Sequence, residues 1–169
     1  MRYRVDTARS QVEIGLRVNL HPSRITAGGI SGEVECELDG QGHPRLDQPY
    51  SAELTLPINS ISSGVGLQDR MMRQRFDSQR YPNITARLTK GEAIDVDQGR
   101  YRATATLTMH GQTREVAGEV KLQFTNGTLT ADAPATVNMQ DFGIDPPRLI
   151  VLKVEPDVDV SAHIVAAQE

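Results

Sequence analysis

The chain has 169 residues, with 18 Lys and Arg against 22 Asp and Glu and a net charge of -4. That is enough for one domain with a substantial core, and too acidic for a general nucleic-acid binder. One cysteine excludes an internal disulfide framework, and no apolar run is long enough to span a bilayer. Tryptophan is absent and aromatics make up 4%, so aliphatic side chains must supply the interior, which suits a flexible hydrocarbon better than a flat ring. The N-terminus, Met1 to Asp6, has no apolar secretory segment. A cytoplasmic protein is expected, or a periplasmic or secreted one whose leader has been removed.

Along the chain, period-two alternation dominates. Val12, Ile14, Leu16 and Val18 point one way while Gln11, Glu13 and Arg17 point the other, and Val34, Cys36 and Leu38 alternate with Glu33, Glu35 and Glu37. The pattern recurs at Leu54-Leu56-Ile58, Ile84-Ala86-Leu88, Val120-Leu122-Phe124 and Val158-Val160-Ala162-Ile164. Each segment has one buried and one wet face, as antiparallel strands do, and the spacing predicts roughly eight to ten of them. Turn residues separate them at Asp39 to Pro44, His110-Gly111 and Asn126-Gly127, and Gly28-Gly29 marks a strand bend or bulge. No repeat or linker interrupts residues 1–169, which form one domain. Alternation by itself does not separate a closed barrel from a sandwich.

One segment breaks the rhythm. From Leu67 to Ser78 the apolar positions Leu67, Met71, Met72 and Phe76 have helical spacing, with Asp69 near the first turn and able to pair with Arg73. The helix ends before Tyr81-Pro82, because proline disfavours helical geometry in its predecessor. Its apolar stripe would lie over the open end of a barrel or in the gap between two sheets. One methionine of the pair should face inward with Phe76 and the other line the rim. Between Leu67 and Lys90 six basic residues (Arg70, Arg73, Arg75, Arg80, Arg87, Lys90) face only two acids, Asp69 and Asp77. Such arginines suit a pyrophosphate or an anionic membrane surface, or else form an ordinary solvated face.

The remaining chemistry is sparse. His110 sits in a predicted tight turn, and His21, His43 and His163 lack metal-ligand spacing. Cys36 shares an apolar face with Val34 and Leu38 and reads as an inert buried thiol. Ser10 and Thr113 read as strand or turn residues. Neither Gly28-Gly29 nor Gly64-Val65-Gly66 has the strand-to-helix context of a phosphate loop. There is no triad, no supported acid pair and no cofactor fingerprint, so an enzyme is not expected and neither is a metal or cofactor.

Taken in order, Asp6 to Ser10, Gln79 to Ile84, Leu107 to Val116 and Asp141 to Ile144 resemble the YceI-like family over nearly the whole chain. The resemblance implies a bacterial, soluble, lipocalin-like antiparallel β-barrel of about eight strands that holds a long isoprenoid tail, with a polar head group near the mouth. This chain departs from the family pattern in three places. Arg9 stands where histidine is common, no histidine closely follows Asp69, and Asp145 to Ile150 replaces a glycine-rich stretch.

The resulting expectation is an all-β barrel that stores or transports an isoprenoid or similar amphiphilic lipid without chemical turnover. Even-numbered apolar strand positions should form the lining, with the 67–78 helix at the mouth. Ile14, Leu16, Leu54, Leu56, Met71, Met72, Phe76, Leu107, Met109 and Phe142 are expected against the tail, and Asp69, Arg70 and Arg73 at the head group. A transient membrane-surface contact and a homodimer stay open. Two rivals stand beside this reading. One is a structural module whose side chains fill its own core, against which small residues such as Ala86, Ala103 and Ala105 would argue. The other is an enzyme acting on a bound lipid through Asp69 or His110.

Overall fold

The computed structural model describes residues 1–19, 23–146 and 154–169. Its strands are β1 (Arg2–Val5), β2 (Gln11–Val18), β3 (Ser23–Ala27), β4 (Ser31–Glu35), β5 (Ser51–Pro57), β6 (Ile61–Ser62), β7 (Asn83–Asp95), β8 (Arg100–Met109), β9 (Gln112–Thr125), β10 (Thr128–Asn138) and β11 (Val154–Gln168). One helix, α1 (Gly66–Phe76), lies between β6 and β7. The first six strands are three interrupted lines. β1 and β2 both pair with β11, β4 and β3 pair back onto them, and β5 and β6 follow in turn. Eleven segments therefore make an eight-stranded antiparallel meander, and β11 closes it by pairing with β10 on one side and with β1 and β2 on the other. Closure pairs both edges of β11 and leaves the short β6, paired only with β3 among the described residues, at the margin.

Local chemistry explains the interruptions. Between Val5↔Ala166 and Gln11↔His163 the N-terminal line advances six residues while β11 advances three, so Asp6 to Ser10 must bulge. Asp6 folds the bulge by accepting from the N–H groups of Ala8 and Arg9. Ser10, buried at 4% exposure, then stands in for the missing strand: its hydroxyl accepts from Val165 N–H at 2.9 Å and donates to Val165 C=O at 3.2 Å. Gly28-Gly29 makes the corresponding bend between β3 and β4, with Gly29 at φ +71°. The hairpins at His110-Gly111 and Asn126-Gly127 carry two successive positive φ angles each, the twist that two-residue turns require.

The helix starts one residue earlier and stops two residues sooner than Leu67–Ser78. Asp77 adopts the left-handed conformation, and Ser78 N–H bonds back to Arg73 C=O, which ends the helix well before Pro82. The expected Asp69–Arg73 pair is replaced by bonds from Ser62 and Ser63 to Asp69. Leu67 is not buried with the rest of its stripe but is 63% exposed.

The fully buried apolar side chains gather toward the two ends of the barrel. Tyr3, Val5, Cys36 and Leu129 pack at one end, with the rings of Tyr3 and Phe124 edge to face at 5.5 Å. Ile25, Ile58, Ile61, Phe76, Phe142 and Ile144 pack at the other. Between them the inward rows of β7, β8 and β10, including Ala86, Ala103, Ala105, Ala131, Ala133 and Ala135, are only half-buried. These methyl groups are too short to meet across the barrel.

The double role of Ser10 makes it the sharpest test of this frame. Ser10→Ala leaves the buried N–H of Val165 unmet, while its C=O keeps the N–H of Asp6 at 2.8 Å, a cost of about 1–3 kcal/mol. Urea denaturation should show that loss with an unchanged slope, and a Ser10→Ala protein as stable as the parent would contradict the assigned role.

Candidate functional site

The hollow is a single cavity of about 770 Å³ running the length of the barrel. By comparison, a cavity of about 150 Å³ lined by aliphatic groups admits benzene and stays dry otherwise. Its walls are the inward rows: Val12, Ile14 and Leu16 of β2, Leu54 and Leu56 of β5, Ala86 and Leu88 of β7, Ala103 to Met109 at alternate positions of β8, Ala131 to Val137 of β10, and Val158 to Ile164 of β11. On β8 and β10 the lining positions are odd-numbered, which corrects the expectation of an even-numbered lining. Inward parity is set strand by strand by register and by bulges, such as the one between Leu88 and Lys90 that brings Gly91 to the wall.

Each end has its own cover. Residues 36–50 fold over the end beside β1, tied by the Leu38–Pro44 bridge and by Gly91 N–H donating to Tyr50 Oη at 2.9 Å, and Pro44, Leu46 and Tyr50 reach the cavity wall. Cys36 and Tyr101 line the cavity there, their titrations pushed up by burial, and the Tyr101 hydroxyl is buried without a hydrogen-bond partner among the described residues. Sequence alternation did not reveal this cover, since Cys36 and Leu38 read as strand and Asp39 to Pro44 as a turn; Leu46 and Tyr50, apolar side chains just beyond it, were the available signal.

At the other end lies α1, whose Leu67, Gln68, Asp69, Met71, Met72, Arg75 and Phe76 line the cavity beside Ile144, Asp145 and Pro146. Met72 packs against the core with Phe76, as expected of one methionine, and Met71 joins it on the wall. Asp69 accepts from Ser63 N–H at 2.8 Å, Ser63 Oγ at 2.7 Å and Ser62 Oγ at 3.3 Å, which holds its carboxyl below the ordinary value, the backbone bond contributing most. Arg75 donates from Nη1 to Asp145 C=O at 3.0 Å.

Nine of the ten expected tail contacts (Ile14, Leu16, Leu54, Leu56, Met71, Met72, Phe76, Leu107 and Met109) lie on the wall, and the tenth does not. Phe142 is 1% exposed in the packed end, outside the cavity. Its carbonyl faces His110 Nδ1 at 3.0 Å, and the Tyr81 ring stands edge-on to His110 at 5.5 Å. A side chain at Gly111 would strike that Tyr81 ring, with Cβ 2.9 Å from it. The Tyr81, His110-Gly111 and Phe142-Gly143 motifs are thus one latch that joins β7, the β8–β9 hairpin and the Met139–Phe142 turn. His110 belongs to the latch and is not on the cavity wall. The head-group set also needs correcting. Asp69 reaches the cavity, but Arg70 and Arg73 lie off its wall, and Arg75 is the helix arginine at the mouth. The replacement segment Asp145 to Ile150 lies partly outside the described residues, as does His21. Among the described residues no group of His, Cys, Asp and Glu is placed to hold a metal.

A closed eight-stranded barrel around a deep apolar hollow, capped by a loop at one end and a short helix at the other, defines a lipocalin-like architecture. The chain belongs to the YceI-like family, whose domain profile matches residues 3–166. Its fold is similar to Burkholderia cenocepacia BcnA (TM-score 0.79, 20% identity, 96% of this chain and 99% of that one). It is also similar to a polyisoprenoid binding domain from Saccharophagus degradans implicated in plant cell wall breakdown (TM-score 0.76, 17% identity, 99% and 98%). A Campylobacter jejuni YceI protein gives a TM-score of 0.68 at 15% identity, over 86% and 84%. No curated protein sequence is significantly similar to this chain. No helix is long and apolar enough to cross a membrane among the described residues.

Two measurements probe the site. Ala105→Phe projects a ring into the hollow, so lipid capacity should fall at least tenfold while thermal stability holds or rises; a filled core would instead lose about 1–3 kcal/mol to overpacking. Asp69 has a folded-state pKa below its unfolded value, so its contribution is present above the ordinary carboxylate range and is lost as pH falls through the folded pKa. Stability of the parent should therefore drop below about pH 4 more steeply than that of Asp69→Asn, and equal acid profiles would show that the serine bonds contribute nothing.

Proposed function

We propose that this protein binds a long-chain isoprenoid or a similar amphiphilic lipid inside the barrel and stores or carries it without altering it chemically. The observation that supports this most is the aliphatic cavity of about 770 Å³, kept open by a run of inward alanines. Burial contributes about 0.8 kcal/mol per methylene, so a flexible chain threaded along the hollow gains affinity with length. The similarity in fold to a polyisoprenoid binding domain points in the same direction. The rival with a self-filled core has no counterpart to this volume.

The polar groups supply orientation rather than chemistry. Asp69 is committed to Ser62 and Ser63, Arg75 to a carbonyl, and no histidine lies on the wall among the described residues. A head group would rest at the α1 end among Gln68, Asp69 and Arg75, with the tail directed toward Tyr101. The hydroxyl beside Asp69 on the wall, Ser63 Oγ, donates to that carboxylate, and among the described residues no histidine stands on the wall to take its proton, which favours a carrier over a lipid-modifying enzyme.

Organic extraction of the purified protein followed by mass spectrometry should release a long-chain lipid. Calorimetry on the stripped protein should show a polyprenol or quinone binding with negative ΔCp, the sign of apolar burial. If polyprenols, quinones and fatty acids all fail to bind, the carrier reading is wrong.

A further inference from the structure

Among the described residues four large apolar side chains are strongly exposed, and two of them, Val65 at 48% and Leu67 at 63%, stand together at the start of α1. Leu67 is the most exposed of the four and also lines the cavity, so one side chain reaches from the hollow to bulk water. Among the described residues the backbone of this corner is open: a Cβ built on Gly64 or on Gly66 meets no atom within 4 Å. Arg70 follows one turn after Leu67, is exposed, and has no ion pair among the described residues, whereas Arg73 is half-buried with its Nε covered. Asp69, the sole carboxylate of α1, is drawn into its bonds with Ser62 and Ser63. The outer face of the helix therefore carries uncommitted positive charge beside two exposed aliphatic groups, at the lip of the cavity.

We propose that the Val65-Leu67-Arg70 corner is a docking lip that seats the cavity mouth on an anionic bilayer surface, so that lipid passes between membrane and barrel without crossing water. The inference rests on the carrier reading above. Its physical basis is complementarity: aliphatic groups enter the interfacial layer while arginines meet anionic head groups, a combination that gives weak, reversible, salt-sensitive binding. Continuity with the cavity gives that contact a purpose. A long tail leaving into water would expose each methylene in turn, whereas a tail leaving past Leu67 enters hydrocarbon directly.

The test is sedimentation of the protein with vesicles of phosphatidylcholine alone and of phosphatidylcholine mixed with phosphatidylglycerol, alongside a vesicle-free titration with a polyprenol. Binding is expected to the anionic vesicles and to fall as salt rises from about 0.1 M to about 1 M, where the Debye length shrinks from about 10 Å to about 3 Å. Arg70→Gln should weaken it about fivefold, the equivalent of about 1 kcal/mol for one basic residue near the surface. Val65→Ser should weaken it further, and both variants should keep the parent's circular dichroism and its polyprenol affinity, since neither residue is on the wall. Equal binding to neutral vesicles, or no effect of either variant, overturns the docking lip. So does a Val65→Ser change that only converts a dimer to a monomer by light scattering, because the corner would then meet a second copy of the chain. In each of these cases an intact polyprenol titration leaves the carrier reading standing, while failure of the titration removes both.

Discussion

Strand β11 holds the barrel shut. It pairs with β10 from Asp157 to Ala167 on one edge and, on the other, with β2 from Val154 to His163 and with β1 from Ala166 to Gln168. Because β1 and β2 are out of step by three residues, closure depends on a bulge whose own polar groups are satisfied. Asp6 folds the bulge from within and Ser10 supplies Val165 with the partner that a continuous strand would have given. Without closure the sheet would have two long edges and no enclosed interior.

The interior is held open at some cost. A close-packed core gains dispersion and transfer energy from every contact, and half-buried alanines forgo much of it. Two compensations are visible. The ends of the barrel are solid, with Tyr3, Phe142, Ile58 and Ile61 almost completely buried. The latch of Tyr81, His110 and Phe142 then ties one hairpin to the helix end, outside the hollow. Close packing is thus concentrated at the two ends, and the middle of the barrel is left open.

This division of labour separates the residues that identify the fold from those that would touch a ligand. The Asp6 to Ser10 motif is the closing bulge, and the tyrosine-proline, histidine-glycine and phenylalanine-glycine motifs form the latch. The wall is generic by contrast, built of aliphatic groups at alternate positions that many sequences could supply. Phe142 was expected against the lipid because it belongs to a motif; its backbone carbonyl and its buried ring serve the frame instead.

Strand alternation, the turn pairs and the helical spacing of Met71, Met72 and Phe76 are local properties, so the all-β class, the single helix and most wall residues were legible in the sequence. The side-chain period of two fixes which residues share a face, and burial of one face then follows from hydrophobicity. Local pattern does not carry register. Whether the sheet closed, which parity faced inward on β8 and β10, and how far apart Ala103, Ala105 and Ala135 would stand were decided by pairing across the whole barrel. The same holds for α1. Its spacing placed Leu67 in a buried stripe and Arg70 and Arg73 near a head group, yet the angle at which the helix crosses the barrel end exposes Leu67, leaves Arg70 and Arg73 off the cavity wall and brings Arg75 to the mouth. Helical periodicity defines faces relative to one another. Only packing against the barrel decides which of those faces meets the cavity and which meets water.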